Sequence, residues 1–373
     1  MSETTARAHE VAAKLAQCRQ LLAEHGAQAL VLTRIANFAW VTGGGRSFIN
    51  IAAEGGAAWA VITPERAMVI TSNIEAERLA EEELAGQGWE VVAHPWWSDA
   101  GPAGALGRLV GDGVHLLADA GVPGAAEVAR RIVALRSTLS PEEQDRARAL
   151  GRDTGLALEA TCRALAPGDT EFAIVGRLAD ACYRRGMEPV VHLAAVDGRI
   201  WRRRHPLPTQ AVLERYALIG LCTLRGGLVI SASRLVHFGP PDADLLRRWE
   251  AAATVDAEML AASHPGASAG QVFASAQAAY ARTGFPDEWQ HHHQGGLAGY
   301  ASREWRAGPN GGEILAAGQL VAWNPTVAGA KSEDTALVGG DTPEVLTETG
   351  QWPLRTIRTA NGGFVPRPEI LVR

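Results

Sequence analysis

Histidines that could carry out acid–base chemistry stand at two places in the sequence. Three consecutive histidines begin at His291, and His205 follows a run of arginines at 202–204. An imidazole titrates close to neutral pH, so it could take a proton from water and return it to a leaving nitrogen. If the triplet lies on a strand, alternation places His291 and His293 on one face and His292 on the other. Most histidines are structural hydrogen-bonding residues, so their position in the fold must decide between the two roles.

The elements that must position these residues begin with an α/β pattern. Residues 8–25 carry apolar side chains at three- and four-residue steps, which predicts an amphipathic helix. Short apolar runs bounded by Gly, Asn or Pro favour buried strands, and they lie at 29–33, 38–42, 57–63 and 67–71. A helix over 74–84, a strand over 90–93 and a helix–strand pair that ends near Leu117 complete this part.

A domain boundary is indicated by the segment STLSPEE at 137–143. Ser140 can cap a helix, Pro141 suits its first turn, and Glu143 can complete a capping box. We therefore predict an N-terminal α/β domain over 1–136 and a second domain over 137–373.

The sequence of the second domain predicts a different class of fold. A long helix over 141–165 is followed by a second helix, for which Thr170 can serve as the cap. A turn at Arg225-Gly226-Gly227 then separates two apolar runs, as in a hairpin. Two helices over 242–283 and a strand-rich end over 289–340 complete an α+β domain.

Composition excludes several classes of partner. The 373 residues carry a net charge of −6, and the basic residues are scattered apart from the run at 202–204, which argues against nucleic acid. No apolar run of about 18 residues occurs, so we expect no membrane span and a cytoplasmic protein.

The chain has 4 cysteines, and none of them forms a CxxC pair. We therefore expect the cysteines to be reduced and mostly in the core.

Several segments resemble the creatinase/prolidase/aminopeptidase P family. STLSPEE, LIGLCTLRGGLVISASRLVHFG, HHHQGGL and KSEDT occur in the family's order, and ANFAWVTGG resembles the start of its smaller domain. The resemblance covers nearly the whole chain. It implies the pita-bread fold for the second domain, a creatinase-type N-terminal domain, and a homodimer.

The resemblance also implies where metal ligands would stand. Metallopeptidases of this family bind two divalent ions through two Asp, one His and two Glu, and this chain has Gly220, Ser231, His293, Asn324 and Glu333 at those positions. Neutral side chains cannot offset the charge of two closely spaced dications. We therefore expect no metal and no other cofactor, with a single weakly bound ion on His293 and Glu333 as the alternative. Glu333 could instead pair with Lys331 across the surface.

Creatinase, a member of the same fold that needs no metal, supplies the alternative. By resemblance His205 takes the place of its acid/base histidine, and Arg303 and Arg46 those of arginines that hold the substrate carboxylate. His293 and Glu333 would then assist His205, and Asn324 and Ser231 would contact the substrate.

The leading hypothesis is therefore a metal-independent, creatinase-like hydrolase that cleaves a C–N bond of a small carboxylate-bearing molecule. Creatine itself is disfavoured, because Ser233 stands where creatinase carries a glutamate that its guanidinium substrate needs. A metal-dependent Xaa-Pro aminopeptidase or prolidase, a lyase or isomerase on the same site, and a non-catalytic binding protein are the alternatives.

Overall fold

The computed structural model describes residues 3–111, 113–340 and 342–373. Contacts between residues divide it into two units, one formed by 1–136 with 226–228 and the other by 137–225 with 229–373. Within the described residues, no helix is both long enough and apolar enough to cross a membrane.

The N-terminal unit is a mixed sheet flanked by helices. Its sheet has the order β4-β3-β2-β1-β5-β6, with antiparallel pairing within β1–β2–β3 and parallel pairing elsewhere. The helices are α1 Glu3–His25, α2 Ile35–Val41, α3 Ala76–Arg78, α4 Gly101–Val110 and α5 Ala129–Arg136, and a π-helical turn spans Leu79–Glu83. The strands are β1 Ala29–Arg34, β2 Gly55–Ile62, β3 Ala67–Ser72, β4 Glu90–His94, β5 Leu116–Ala118 and β6 Ala126–Glu127.

One predicted strand of this unit is wrong. The run 38–42 lies mainly in helix α2, which follows β1 directly and buries Phe38 and Trp40. A short apolar run buried on all sides has no polar face, so its periodicity cannot distinguish a helix from a strand.

The C-terminal unit has the α+β composition predicted from the sequence. Its helices are α6 Pro141–Ala164, α7 Glu171–Tyr183, α8 Ala243–Ala262 and α9 Ala269–Arg282. Ser140 and Glu143 form the predicted capping box, and the hydroxyl of Thr170 caps α7. Both caps confirm the helix starts that the sequence indicates.

Two sheets of the C-terminal unit position the candidate site. One has the order β19-β9-β8-β7, and the other has the order β11-β10-β12-β15-β16. The strands are β7 Glu188–Val196, β8 Tyr216–Arg225, β9 Leu228–His237, β10 Gly295–Ala298, β11 Trp305–Arg306, β12 Leu320–Trp323, β13 Thr326–Val327, β14 Ala330–Lys331, β15 Asp334–Leu337, β16 Glu344–Val345, β17 Leu354–Arg358, β18 Phe364–Pro368 and β19 Leu371–Val372. The core packs Trp249 of α8 and Tyr280 of α9 with Trp323 of β12.

A closed ionic cluster is buried in the same unit. Asp334 accepts hydrogen bonds from Arg234, at 2.8 Å, and from Arg367, while Asp256 also pairs with Arg367 at 2.8 Å. Ser332 donates to Asp256. All four charged side chains are at most 2% exposed, and two positive charges face two negative ones. We call this group, Arg234, Asp256, Asp334 and Arg367, the balanced cluster.

Candidate active site

A cavity of about 250 Å³ lies in the C-terminal unit. Strands β7 and β8 contribute an apolar wall, and the opposite side is polar and mostly charged. Its lining consists of Val191, Leu193, His205, Gly220, Leu221, Cys222, His293, Ser302, Arg303, Arg306, Asn324, Lys331 and Glu333. The cavity thus brings together five of the residues that the sequence singles out, His205, His293, Arg303, Asn324 and Glu333.

His205 is carried by an irregular loop that one carboxylate holds at both ends. Glu171, fully buried at the start of α7, accepts hydrogen bonds from the backbone N–H of Val196 and of Thr209, at 3.0 and 2.8 Å, and from the Thr209 hydroxyl. Arg199 pairs with the same carboxylate. Nearer the tip, Arg204 forms an ion pair with Glu288. The loop is therefore anchored, while the His205 side chain itself stays exposed.

The three histidines of the site form one cluster. Nε2 of His205 lies 3.1 Å from Nε2 of His292, a hydrogen bond in which one nitrogen donates and the other accepts. The ring of His292 stacks on that of His293, with centroids 4.5 Å apart, and the His205 ring lies 5.4 Å from the His293 ring. His291 is exposed and is not part of this group.

The predicted alternation of the histidine triplet is therefore wrong. Residues Glu288–His291 form a 3-10 turn, and the strand β10 begins only at Gly295, so a two-residue repeat does not apply. His292 and His293, adjacent in sequence, instead stack on each other.

The surroundings disfavour the charged form of all three clustered imidazoles. Burial lowers the pKa of His293 to about 4, with a further contribution from the Arg303 charge. Burial followed by the Lys331 charge lowers the pKa of both His205 and His292. A neutral imidazole is the form that can accept a proton.

Among the residues that the structure describes, Glu333 is the one acidic side chain that lines the cavity. Burial alone would raise its pKa, but the charges of Lys331 and Arg303 outweigh burial and bring the pKa down to about 2. Lys331 Nζ lies 2.8 Å from Glu333 and Arg303 lies 3.3 Å from it, and Ser233 donates a further hydrogen bond. The expected pair with Lys331 exists, but it is buried and does not lie across the surface: the two side chains are 3% and 5% exposed.

Arg303 is held beside this carboxylate by its neighbours. It donates to the Ser231 hydroxyl at 3.3 Å and to the Ser302 carbonyl at 2.5 Å, while its buried Nε has no hydrogen-bond partner within the described residues. Ser231 is fully buried and also contacts Cys222. Ser231 is therefore placed to orient Arg303. Arg303 and Cys222 line the cavity, whereas Ser231 does not.

Comparisons with known proteins identify the family. The creatinase/prolidase N-terminal domain matches residues 14–130, and the metallopeptidase family M24 matches residues 145–340, more than half of the chain. This chain belongs to the metallopeptidase family M24. Its predicted relationship to creatinase, prolidase and aminopeptidase P is confirmed, as is the α+β pita-bread fold with a creatinase-type N-terminal domain. No curated protein sequence matches the chain.

Solved structures superpose on the chain at low sequence identity. The prolidase of Pyrococcus horikoshii has a TM-score of 0.77 and 17% identity, over 90% of this chain and 98% of that one. The dipeptidase PepE of Mycobacterium ulcerans also gives 0.77 and 17%, over 98% of each chain. The N-terminal domain of a FACT complex subunit from chickpea, Cicer arietinum, gives 0.71 and 12%, over 92% and 97%. At these identities the likeness shows the fold.

The side chains at the M24 ligand positions do not fit a two-ion centre. Gly220 offers no donor, and a Cβ added there would lie 3.2 Å from the Ser233 hydroxyl. Ser231 is engaged with Cys222 and Arg303, and Asn324 is neutral. Glu333 is already paired with Arg303 and Lys331. Bridged dications need several carboxylates, and these positions supply one.

The histidine cluster has the spacing of a metal site but unfavourable surroundings. One ligand nitrogen from each of His205, His292 and His293 lies within 4.8 Å of the others. Lys331 acts on all three imidazoles, and Arg303 on two of them, as a charge that disfavours a further positive charge. This electrostatic environment favours an anion over a dication.

Arg46 belongs to the N-terminal unit. Its Nε donates to Glu83 at 2.9 Å, and about half of its side chain is exposed. Its assignment as a substrate clamp stays a prediction, as do the substrate contacts of Asn324 and Ser231.

Sequence reasoning missed three residues of the site, namely Lys331, Arg306 and His292. Lys331 and Glu333 are two residues apart, so extended backbone places them on one side, which is a signal that was present in the sequence. Residues Ser332 and Asp334 point the other way, into the balanced cluster. Arg306 lies on the short strand β11, and nothing in its sequence neighbourhood indicates the cavity.

Proposed function

We propose that this protein is a metal-independent hydrolase that cleaves a C–N bond in a small substrate bearing a carboxylate. The observation that carries the proposal is the cavity itself, which is lined by an exposed histidine, His205, together with arginine and lysine side chains. Membership of M24 supports hydrolysis, and the charges in the cavity support an anionic substrate.

The substrate carboxylate would bind on the charged side of the cavity. Arg303 has a buried Nε with no partner among the described residues, and a guanidinium holds a carboxylate through parallel N–H donors. Asn324 Oδ1 is likewise buried without a partner and lines the same cavity. An N–H group of the substrate would satisfy this acceptor, since buried polar atoms are usually hydrogen-bonded.

His205 would act as the general base and then as the general acid. Its Nε2 is engaged with His292, while its Nδ1 makes no hydrogen bond to the described residues. In the proposed step, His205 removes a proton from water as the water oxygen attacks the carbon of the C–N bond. The same proton then passes to the departing nitrogen as that bond breaks, so atoms and charge balance. His293 lines the same cavity and would stabilise the negative charge that develops on the attacked group.

Turnover by matched histidine variants tests this proposal. The full-length protein, purified without added metal, is incubated with N-acetyl, N-carbamoyl and N-amidino amino acids, and the released amine is measured by mass spectrometry. We expect turnover that EDTA does not reduce, and a loss on the order of a hundredfold in His205→Ala, since proton transfer typically contributes that much. His192→Ala is the control, because His192 is an exposed histidine of β7 that does not line the cavity.

Two results would contradict the proposal. The first is equal turnover by His205→Ala and the parent protein. The second is about two equivalents of divalent metal per chain together with EDTA-sensitive cleavage of Xaa-Pro peptides, which would instead identify a metallopeptidase. A homodimer, as the family resemblance implies, stays a prediction.

A further inference from the structure

The charges that line the cavity do not balance. Lys331 and Arg303, with side chains 3% and 8% exposed, both contact Glu333 and share this one carboxylate. Buried charges in folded proteins are normally paired one to one, because an unpaired ion loses its hydration without compensation. One buried positive charge is therefore left over at the cavity.

Arg306 adds a second uncompensated positive charge. It lies on β11, lines the same cavity, and makes no ion pair or hydrogen bond with the described residues. Its charge reaches the site, because it contributes to the lowered pKa of both His205 and His293. Arg303, Arg306 and Lys331 carry three positive charges and Glu333 carries one negative charge, so the net charge of these side chains is +2.

Nearby acids outside the cavity are committed elsewhere. Glu288 pairs with Arg204, and Glu304 accepts hydrogen bonds from the backbone N–H groups of Tyr300 and Ala301. Asp334 faces the balanced cluster. Among the described residues, none of these three acids contacts Lys331 or Arg306.

We infer that the cavity selects a small dianion, namely a substrate with two carboxylates, one held by Arg303 and Lys331 and the other by Arg306. A cavity of about 250 Å³ with an apolar wall on β7 and β8 suits a short aliphatic dicarboxylate. The inference rests on the proposed function for its first carboxylate. Combined with C–N hydrolysis, it specifies the substrate class as N-substituted acidic amino acids.

An isosteric pair of probes tests the second charge. Succinate and succinamate have the same size and shape at neutral pH, but they carry two charges and one charge. Calorimetric titration of the full-length protein should show succinate binding about tenfold more tightly. Arg306→Gln should reduce that preference to about threefold or less while the affinity for succinamate stays within about twofold, since an exposed charge contributes modestly.

Arg358→Gln is the matched control, because Arg358 is an exposed arginine on strand β17 and does not line the cavity. It should keep the full preference for succinate. Equal affinities for the two probes in the parent protein, or an unchanged preference in Arg306→Gln, would overturn the inference and leave the single-carboxylate site standing. Failure of both probes to bind would overturn the inference and the proposed carboxylate site together.

Discussion

Two acids adjacent in sequence, Glu333 and Asp334, lie in contrasting electrostatic environments. Asp334 belongs to the balanced cluster, where two arginines meet two aspartates and the side chains are at most 2% exposed. Glu333 faces a cavity in which it is outnumbered by cations. Extended backbone turns successive side chains to opposite sides, so one residue step separates a closed structural group from an open one. The comparison of the balanced cluster with the cavity shows that a missing counter-charge, more than burial, distinguishes the candidate site.

The largest effect is expected from opening the balanced cluster. Asp334→Asn leaves Arg367 paired with Asp256 but removes the carboxylate that Arg234 contacts, so the Arg234 charge stays buried without a contacting carboxylate among the described residues. We expect a loss of about 3–5 kcal/mol in the free energy of unfolding. Urea denaturation followed by tryptophan fluorescence measures it.

Glu344→Gln is the control for this change, since Glu344 pairs with Arg148 on the surface. It should cost less than about 0.5 kcal/mol. A loss equally small in Asp334→Asn would remove the distinction between the two environments.

The pH dependence of stability gives a second comparison. Burial raises the pKa of Asp256 to about 6, so at pH 5 the folded state binds a proton that the unfolded state, with its ordinary pKa of 3.8, does not. The Asp256 contribution to stability therefore rises as pH falls from 6 to 5, and at most about 3 kcal/mol is involved over the full titration. Asp256→Asn should lack this rise in urea denaturation series at the two pH values.

Glu333 has the opposite sign and a different window. Its pKa is about 2 in the folded protein, so its contribution is present above its ordinary value of 4.5 and is lost as pH falls below that. Glu333→Gln should therefore keep the rise between pH 6 and 5. If it abolished the rise and Asp256→Asn did not, the titrating group would lie in the cavity.

The smallest effect on stability is expected from removing a cation of the cavity. Lys331→Met leaves Glu333 paired with Arg303 and relieves the surplus charge, so the free energy of unfolding should fall by no more than about 1 kcal/mol. The same variant should lose the calorimetric signal of succinate binding. A destabilisation as large as that of Asp334→Asn would mean that Lys331 is structural.

The sequence predicts the fold well where local signals are strong. The capping box at Ser140 and the cap at Thr170 fix helix starts, because a side-chain oxygen there satisfies free backbone N–H groups. It fails at 38–42, where a buried helix carries no polar face to reveal its period.

The candidate site is predictable only in part. The family positions of His205, His293, Arg303, Asn324 and Glu333 converge on the cavity, as the resemblance implies. Arg306 and His292 could not be assigned, because their part in the site depends on where β11 and a 3-10 turn bring them in space. Spacing along the chain does not show how many charges meet at one carboxylate.

Glu171 sets the position of the loop that carries His205, because it holds that loop at both ends. Both ends of the segment converge on this carboxylate, through Val196 and Arg199 on one side and Thr209 on the other. These contacts restrict the backbone of the loop at its two ends and do not involve the imidazole itself. Substitutions between these two anchors should therefore change the surroundings of the His205 ring while the loop stays attached at both ends.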